Sequence, residues 1–165
     1  MRRTATLFSH FTFPRNYSII ILMEKLVLTA DHGGYELKEI IKHFIPTLGD
    51  YEIIDLGTNS AESVDYPEYG KLAAKAVAKG QANRGIIFCG TGTGMAISAN
   101  KTKGIRAANC TSVIMAEMSR RHNDANILAL GGRIVDTDLA KTIVQTWLTT
   151  PFDGGRHERR VKQIG

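Results

Sequence analysis

Cysteine is scarce in this chain: two among 165 residues, Cys89 and Cys110. They form neither a C-x-x-C pair nor a zinc-ligand spacing, which argues against a disulfide framework and a cysteine-held metal. A reduced, cytoplasmic setting follows as the expectation. No apolar run approaches the roughly 18 residues of a membrane span, so no membrane partner is expected. There are only four prolines and no low-complexity stretch, internal repeat or linker. The length suits one domain with one sizeable core.

Acidic residues are missing altogether from residues 1–22, which hold Arg2, Arg3 and Arg15. With that segment set aside, 18 basic residues face 16 acidic ones, a net charge of +2. The overall charge of +5 is therefore no footprint of nucleic acid binding. The acid-free start resembles a targeting peptide in composition, but Glu24 and Lys25 interrupt it before any small-residue cleavage site. Met23 stands just ahead of a clear strand. Residues 1–22 read as an extension, an upstream read-through or alternative start, and residues 23–165 as a single domain.

From Met23 onward, strands alternate with helices. Apolar runs at 25–30, 51–57, 85–89, 105–110 and 126–132 predict five strands. Leu37, Ile40, Ile41 and Phe44 recur at helical spacing. An alanine-rich helix precedes Gly80, and further helices follow residues 95, 113, 137 and 156. Nearly continuous apolar strands separated by helices predict a parallel five-stranded sheet covered on both faces, a Rossmann-like α/β/α sandwich. Ligands of such sheets bind beyond the carboxyl ends of the strands. Three polar clusters stand there: Asp31-His32-Gly33-Gly34, Cys89-Gly90-Thr91-Gly92-Thr93-Gly94 and Gly131-Gly132-Arg133.

The glycine-rich turn is neither a dinucleotide fingerprint nor a P-loop. Met95 and Ile97 occupy the positions where a third glycine is needed, and Gly-Lys-Ser/Thr is absent. The turn serves either a tight strand-to-helix connection or an anion, held by successive backbone N–H groups. Cys89 at its start is either a packed thiol or a thiolate favoured by the helix terminus; its position beside the anion turn favours the second. Cys110 reads as core. Asp31 and His32 can orient and protonate a substrate, or cap a helix. His122 closes a helix, where a cationic ring is well placed. His10, His43 and His157 have no such context and read as structural or exposed. Arg156, Arg159, Arg160 and Lys162 form a basic helical tail that, on charge alone, is a solvated face. Together these features suggest a sugar phosphate undergoing proton transfer next to a carbonyl, with no metal and no cofactor.

The segments ADHGGYELK, DLGTNSAESVDYPEY, GIIFCGTGTGMAISANK, GIRAA, SRRHNDANILALGGR and PFDGGRHERRVKQI, in that order, resemble the ribose-5-phosphate isomerase B group of the ribose/galactose isomerases. The resemblance runs from about residue 25 to the end. It implies a cofactor-independent aldose-ketose isomerase that interconverts ribose 5-phosphate and ribulose 5-phosphate. Galactose 6-phosphate or allose 6-phosphate is the alternative substrate, and a non-catalytic phosphosugar-binding module the alternative of another class. Cys89 is implied as the base at C2, with Gly90 to Gly94 holding the enediolate oxygen and Thr91 positioning the substrate. His122 is implied in ring opening, helped by Asp31 and Tyr66, and Asn123 in contacts to hydroxyls. His32, Arg133, Arg156 and Arg160 match phosphate and substrate contacts. The resemblance also implies a homodimer or homotetramer with the site shared between subunits, which turns the basic tail from a solvated face into a ligand.

Overall fold

The computed structural model describes residues 23–164. The extension at 1–22 and His10 lie outside the described residues. The elements are β1 (Glu24–Ala30), α1 (Tyr35–Phe44), a short 3-10 helix (Ile45–Thr47), β2 (Tyr51–Asp55), α2 (Tyr66–Ala78), β3 (Arg84–Cys89), α3 (Thr93–Ala99), β4 (Ala107–Asn109), α4 (Val113–Asn123), β5 (Ile127–Gly131), α5 (Thr137–Thr149) and α6 (Arg156–Ile164). The sheet is all parallel, with strand order β2-β1-β3-β5-β4. None of the described helices is long and apolar enough to cross a membrane.

Alternation along the strands feeds two cores. Leu26, Leu28, Ile86, Phe88, Leu128 and Leu130 face the side covered by α1, α4 and α5, where Trp147 is fully buried. Val27, Ile87, Cys89, Ile127 and Ala129 face α2 and α3. Small residues set the depth on that second side: Ala73, Ala74 and Ala76 are buried, and Gly70 sits so close to Met95 that a methyl there would be 2.9 Å from its carbonyl oxygen. Two helix starts follow from side-chain chemistry. Ser112 accepts the Met115 N–H, and Asp136 accepts the Leu139 N–H, each satisfying a first-turn donor.

Some boundaries move from the sequence expectation. The second strand ends at Asp55 because the Gly57 N–H turns back to Asp55 Oδ1 (3.0 Å). The fourth shrinks to Ala107–Asn109, since the Arg106 N–H is taken by the Asn126 side chain (2.8 Å). On α1, Ile40 is exposed while Lys38 is buried. Lys38 lies inward because Asp55, at the end of β2, accepts from its ammonium at 2.9 Å on both oxygens, and the Thr58 carbonyl accepts at 3.0 Å.

The chain moves from β1 outward to β2, then returns past β1 to β3. The sheet's switch point therefore lies between β1 and β3, and the carboxyl ends of these strands are where sheets of this kind bind ligands. The order on the other side is less obvious. β5 inserts between β3 and the edge strand β4, so its carboxyl end stands directly beside that of β3.

Candidate active site

Cys89 is the last residue of β3, and its thiol is buried. The chain then reverses so tightly that the Gly92 N–H donates to Cys89 Sγ at 3.0 Å. The sulfur is thus held as a hydrogen-bond acceptor at the mouth of the turn. The reversal needs Gly92, which has φ of +80° and whose missing side chain is occupied by Asn109 Oδ1, 2.2 Å from where a Cβ would stand. Asn109, on β4, holds the turn from outside: its Nδ2 donates to the Thr91 carbonyl (3.3 Å) and to Thr93 Oγ1 (3.0 Å). No motif spacing announces Asn109, because the contact crosses 16 to 18 residues.

Neighbouring loops close on this turn. The Gly132 N–H donates to the Cys89 carbonyl (2.8 Å), and the Arg133 N–H to the Gly90 carbonyl (3.0 Å). Arg133 lies over Gly90, with its Nη1 3.5 Å from the position of an added methyl. From β1, the Asp31 N–H donates to the Phe88 carbonyl (3.1 Å). The buried Asp31 carboxylate accepts the N–H groups of Gly33 (2.8 Å) and Gly34 (3.0 Å) on one oxygen. Gly34 packs against the backbone of Phe88 and Cys89, which leaves no room for a Cβ. His32 Nδ1 accepts the Val64 N–H (3.2 Å), so the neutral ring carries its proton on Nε2. Tyr66 opens α2 with its ring against Gly94. Asp31, His32, Tyr66, Cys89, Gly90, Thr91, Gly92, Thr93, Gly94 and Arg133 thus share one end of the sheet.

The remaining sequence candidates form a second group. In the β3–β5 pairing Gly85 is level with Ile127 and Cys89 with Gly131. The chain leaving α4 therefore enters β5 four residues below Cys89, roughly 13 Å at about 3.3 Å per residue. His122 and Asn123 end α4 at that lower edge. The connection after α5 returns there too: the Asp153 N–H donates to the Arg121 carbonyl (3.0 Å), and Arg121 bridges to the Asp153 carboxylate (3.2 Å). Arg156 and Arg160 then stand exposed, one turn apart on α6.

Of the two sequence readings of His157, structural or exposed, the structure takes the first: it is buried, with its ring stacked on that of His122, centroids 4.2 Å apart and planes 2° from parallel. The Arg156 Nε–H donates to its Nε2 (3.3 Å). Burial holds the His157 ring below the usual imidazole range, reinforced by His122, Arg156 and Arg160 and opposed by Asp153. Its position next to Arg156 in the tail motif was the available signal. Cys110 matches its core reading, because burial pushes its thiol up to about 11.

A parallel sheet whose switch-point end gathers a thiol, a glycine-rich turn and a guanidinium is the architecture of an α/β enzyme. The family described as Ribose/Galactose Isomerase matches residues 26–164, and the chain belongs to that family. It is 48% identical to ribose-5-phosphate isomerase B of Escherichia coli K12 over 143 residues, 86% of this chain and 95% of the relative. The solved ribose-5-phosphate isomerase B of Clostridium thermocellum is 57% identical, with a TM-score of 0.83 over 86% of this chain and 95% of the other. A D-erythrulose-4-phosphate isomerase of Pectobacterium atrosepticum is 37% identical over 147 residues, covering 87% of this chain and 94% of the relative.

Proposed function

We propose that this enzyme interconverts ribose 5-phosphate and ribulose 5-phosphate, with the thiol of Cys89 as the base. The observation that carries the assignment is the Gly92 N–H held on Cys89 Sγ at the switch-point end of the sheet. The thiolate removes the proton from C2 of the open-chain aldose. The C–H electrons form the C1–C2 double bond, and the carbonyl electrons move onto O1 as an enediolate. N–H groups of the Gly90–Gly94 turn receive that charge, as donors fixed in advance. A proton then passes from the O2 hydroxyl to O1, and return to C1 of the proton taken from C2, with collapse of O2 to a carbonyl, completes the ketose. C1 is reduced as C2 is oxidised, so this sequence consumes no external oxidant or reductant.

Ribose 5-phosphate is mostly a ring, which must open first. His122 gives a proton to the ring oxygen as the C1–O bond breaks, and Asp31 takes the proton of the anomeric hydroxyl. Tyr66 and Thr91 position the sugar, Asn123 meets its hydroxyls, and His32, Arg133, Arg156 and Arg160 hold the phosphate. Guanidinium suits that task through its planar fork of donors. We place the whole catalytic unit in residues 23–165 and the enzyme in the cytoplasm, as a step of pentose phosphate metabolism.

The two residue groups need each other, yet one chain separates them along the strands. A dimer supports their union. A two-fold axis perpendicular to the strands sets the upper end of one sheet beside the lower end of its partner, twice over. The edge beside β4 suits such an axis: β4 is short, and Ile97 of α3 with Ile114 and Met115 of α4 expose apolar surface next to it.

The test separates proton transfer from ring opening. Ribulose 5-phosphate cannot close a furanose ring, because its C5 oxygen carries the phosphate. Exchange of its C1 proton with D2O therefore reports enediolate formation alone. Cys89→Ala should reduce both this exchange and ribose 5-phosphate turnover by about 10²- to 10⁴-fold. His122→Ala should keep the exchange, while turnover of ribose 5-phosphate stops rising with enzyme once spontaneous ring opening limits it. Normal exchange in the Cys89 variant would sink the assignment. Faster turnover of galactose or allose 6-phosphate than of ribose 5-phosphate would move the substrate to a hexose.

A further inference from the structure

The stack of His122 and His157 does no work in the mechanism above, yet it sits at the lower end of the sheet beside the arginines of the tail. Its geometry does not favour a shared metal ion. Donor atoms of His122, Asp153 and His157 lie within 4.8 Å of one another. But imidazole lone pairs lie in their ring planes, and planes 2° from parallel do not let two of them converge on one ion. Asp153 is also already engaged by Arg121.

The arrangement suits a proton instead. His122 lies in the last turn of α4, where the helix presents its carbonyl end. His157 is the second residue of α6, where the helix presents its N–H end. A positive charge is favoured at the first position and disfavoured at the second. The surrounding groups act in the same sense. From α6, Arg156 and Arg160 face His157, and Arg156 Nε–H donates to its Nε2, a bond that a protonated ring cannot accept. From α4, His122 itself opposes a second charge; Arg121 is neutralised by Asp153 and Glu117. From the connection before α6, Asp153 is the one group favouring charge on His157, and it comes last among the influences.

We propose that His157 is a positioning residue for His122: a stacked imidazole, engaged by Arg156, that fixes the plane of the His122 ring and the direction in which it delivers a proton. This rests on the reading of His122 as the ring-opening group. It also links the two functions of the tail, because Arg156 meets His157 through Nε while its Nη groups remain for the phosphate. Substrate recognition and the protonation of the ring-opening pair then share one side chain.

The experiment uses the full chain with His157→Ala and His157→Phe, the second keeping a flat ring that cannot titrate. Two rates are measured at each pH: ribose 5-phosphate turnover and exchange of the C1 proton of ribulose 5-phosphate. Their ratio cancels the ionisation of Cys89, which both require. In His157→Ala the ratio should fall about tenfold or more, part of the roughly 100-fold or more that a placed proton donor supplies. In His157→Phe it should return to within about threefold of the parent at neutral pH, since the stacked face is restored. Towards acid the parent ratio should fall more steeply than that of His157→Phe, which lacks the second protonation. An unchanged ratio in His157→Ala overturns the proposal. So does equal loss of both rates in the two variants, which would mark His157 as merely structural. His122→Ala, run alongside, tests the underlying reading separately. If it shifts the ratio and His157→Ala does not, ring opening by His122 stands and the role of its neighbour falls.

Discussion

Mixing two inactive subunits gives a sharp test of how the site is completed. One subunit carries Cys89→Ala, the other His122→Ala. To protonate the ring oxygen of a sugar whose C2 lies at Cys89, His122 must reach hydrogen-bonding distance of that oxygen, about 3 Å. The register between β3 and β5 instead sets the entry to β5 roughly 13 Å below Cys89, and His122 precedes it. No side chain rotation closes that gap within a subunit. In a two-fold dimer with sites across the interface, each site takes its upper half from one subunit and its lower half from the other. The mixed dimer then has one site with both defects and one with neither. Dimers purified through two different affinity tags should show about half the parent turnover of ribose 5-phosphate, and a random equal mixture about a quarter. Both homodimers stay near background, provided the assay contains enough enzyme for spontaneous ring opening to be limiting. A doubly tagged dimer no more active than the better of its homodimers would refute the shared site, and with it the division of residues argued above.

Two further predictions concern the supports of the site. A methyl at Gly34 would stand 2.3 Å from the Phe88 carbonyl carbon and 2.6 Å from the Cys89 nitrogen. Relieving this needs a shift of about 1 Å beneath the Cys89 thiol, so Gly34→Ala should lower kcat by about a hundredfold and stability by about 1–3 kcal/mol. Gly80→Ala, at φ of +68° with open space around it, should lower the melting temperature without this loss of kcat; similar kcat values for the two variants would contradict the argument. The second concerns acid stability. Burial raises the Asp55 carboxyl, but hydrogen bonds from Lys38 and Lys42 outweigh it and hold the group below its usual value. A depressed carboxyl contributes stability above its unfolded value of about 3.9 and loses it as pH falls through the folded value. Asp55→Asn should therefore weaken the fold at pH 7 by about 3 kcal/mol, since buried Lys38 loses its main partner. Its urea midpoint should also change less than that of the parent below about pH 4. Parallel pH profiles for the two proteins would dismiss the pair as a source of acid sensitivity.

Much of the upper half of the site is written in adjacent residues. Cys89 directly precedes Gly90 to Gly94, and Asp31 directly follows a strand, so local periodicity and turn chemistry alone locate them. The alternation of strands and helices, and hence the parallel sheet, is legible for the same reason: each element is specified by contacts within a few residues. Exceptions arise where a distant partner reverses a local preference. Lys38 sits on the buried face that the pattern of Leu37 and Ile41 marks as apolar, because Asp55 waits there. His157 looks like one more polar residue of a basic tail until α6 folds back onto α4 and lays it on His122.

Strand order is another matter, because nothing local encodes it. A strand's own residues say that it is buried on both faces, not which neighbour it pairs with. Only the tertiary structure inserts β5 between β3 and β4, which brings Arg133 over Gly90 and Asn109 behind Gly92. Only it shows that Cys89 and His122, both readable as chemical groups, lie at opposite ends of one sheet. The sequence determined which side chains are candidates for chemistry, since reactivity belongs to side chains and their immediate neighbours. The fold decided which of them can meet, since distances between remote segments depend on the packing of the whole chain.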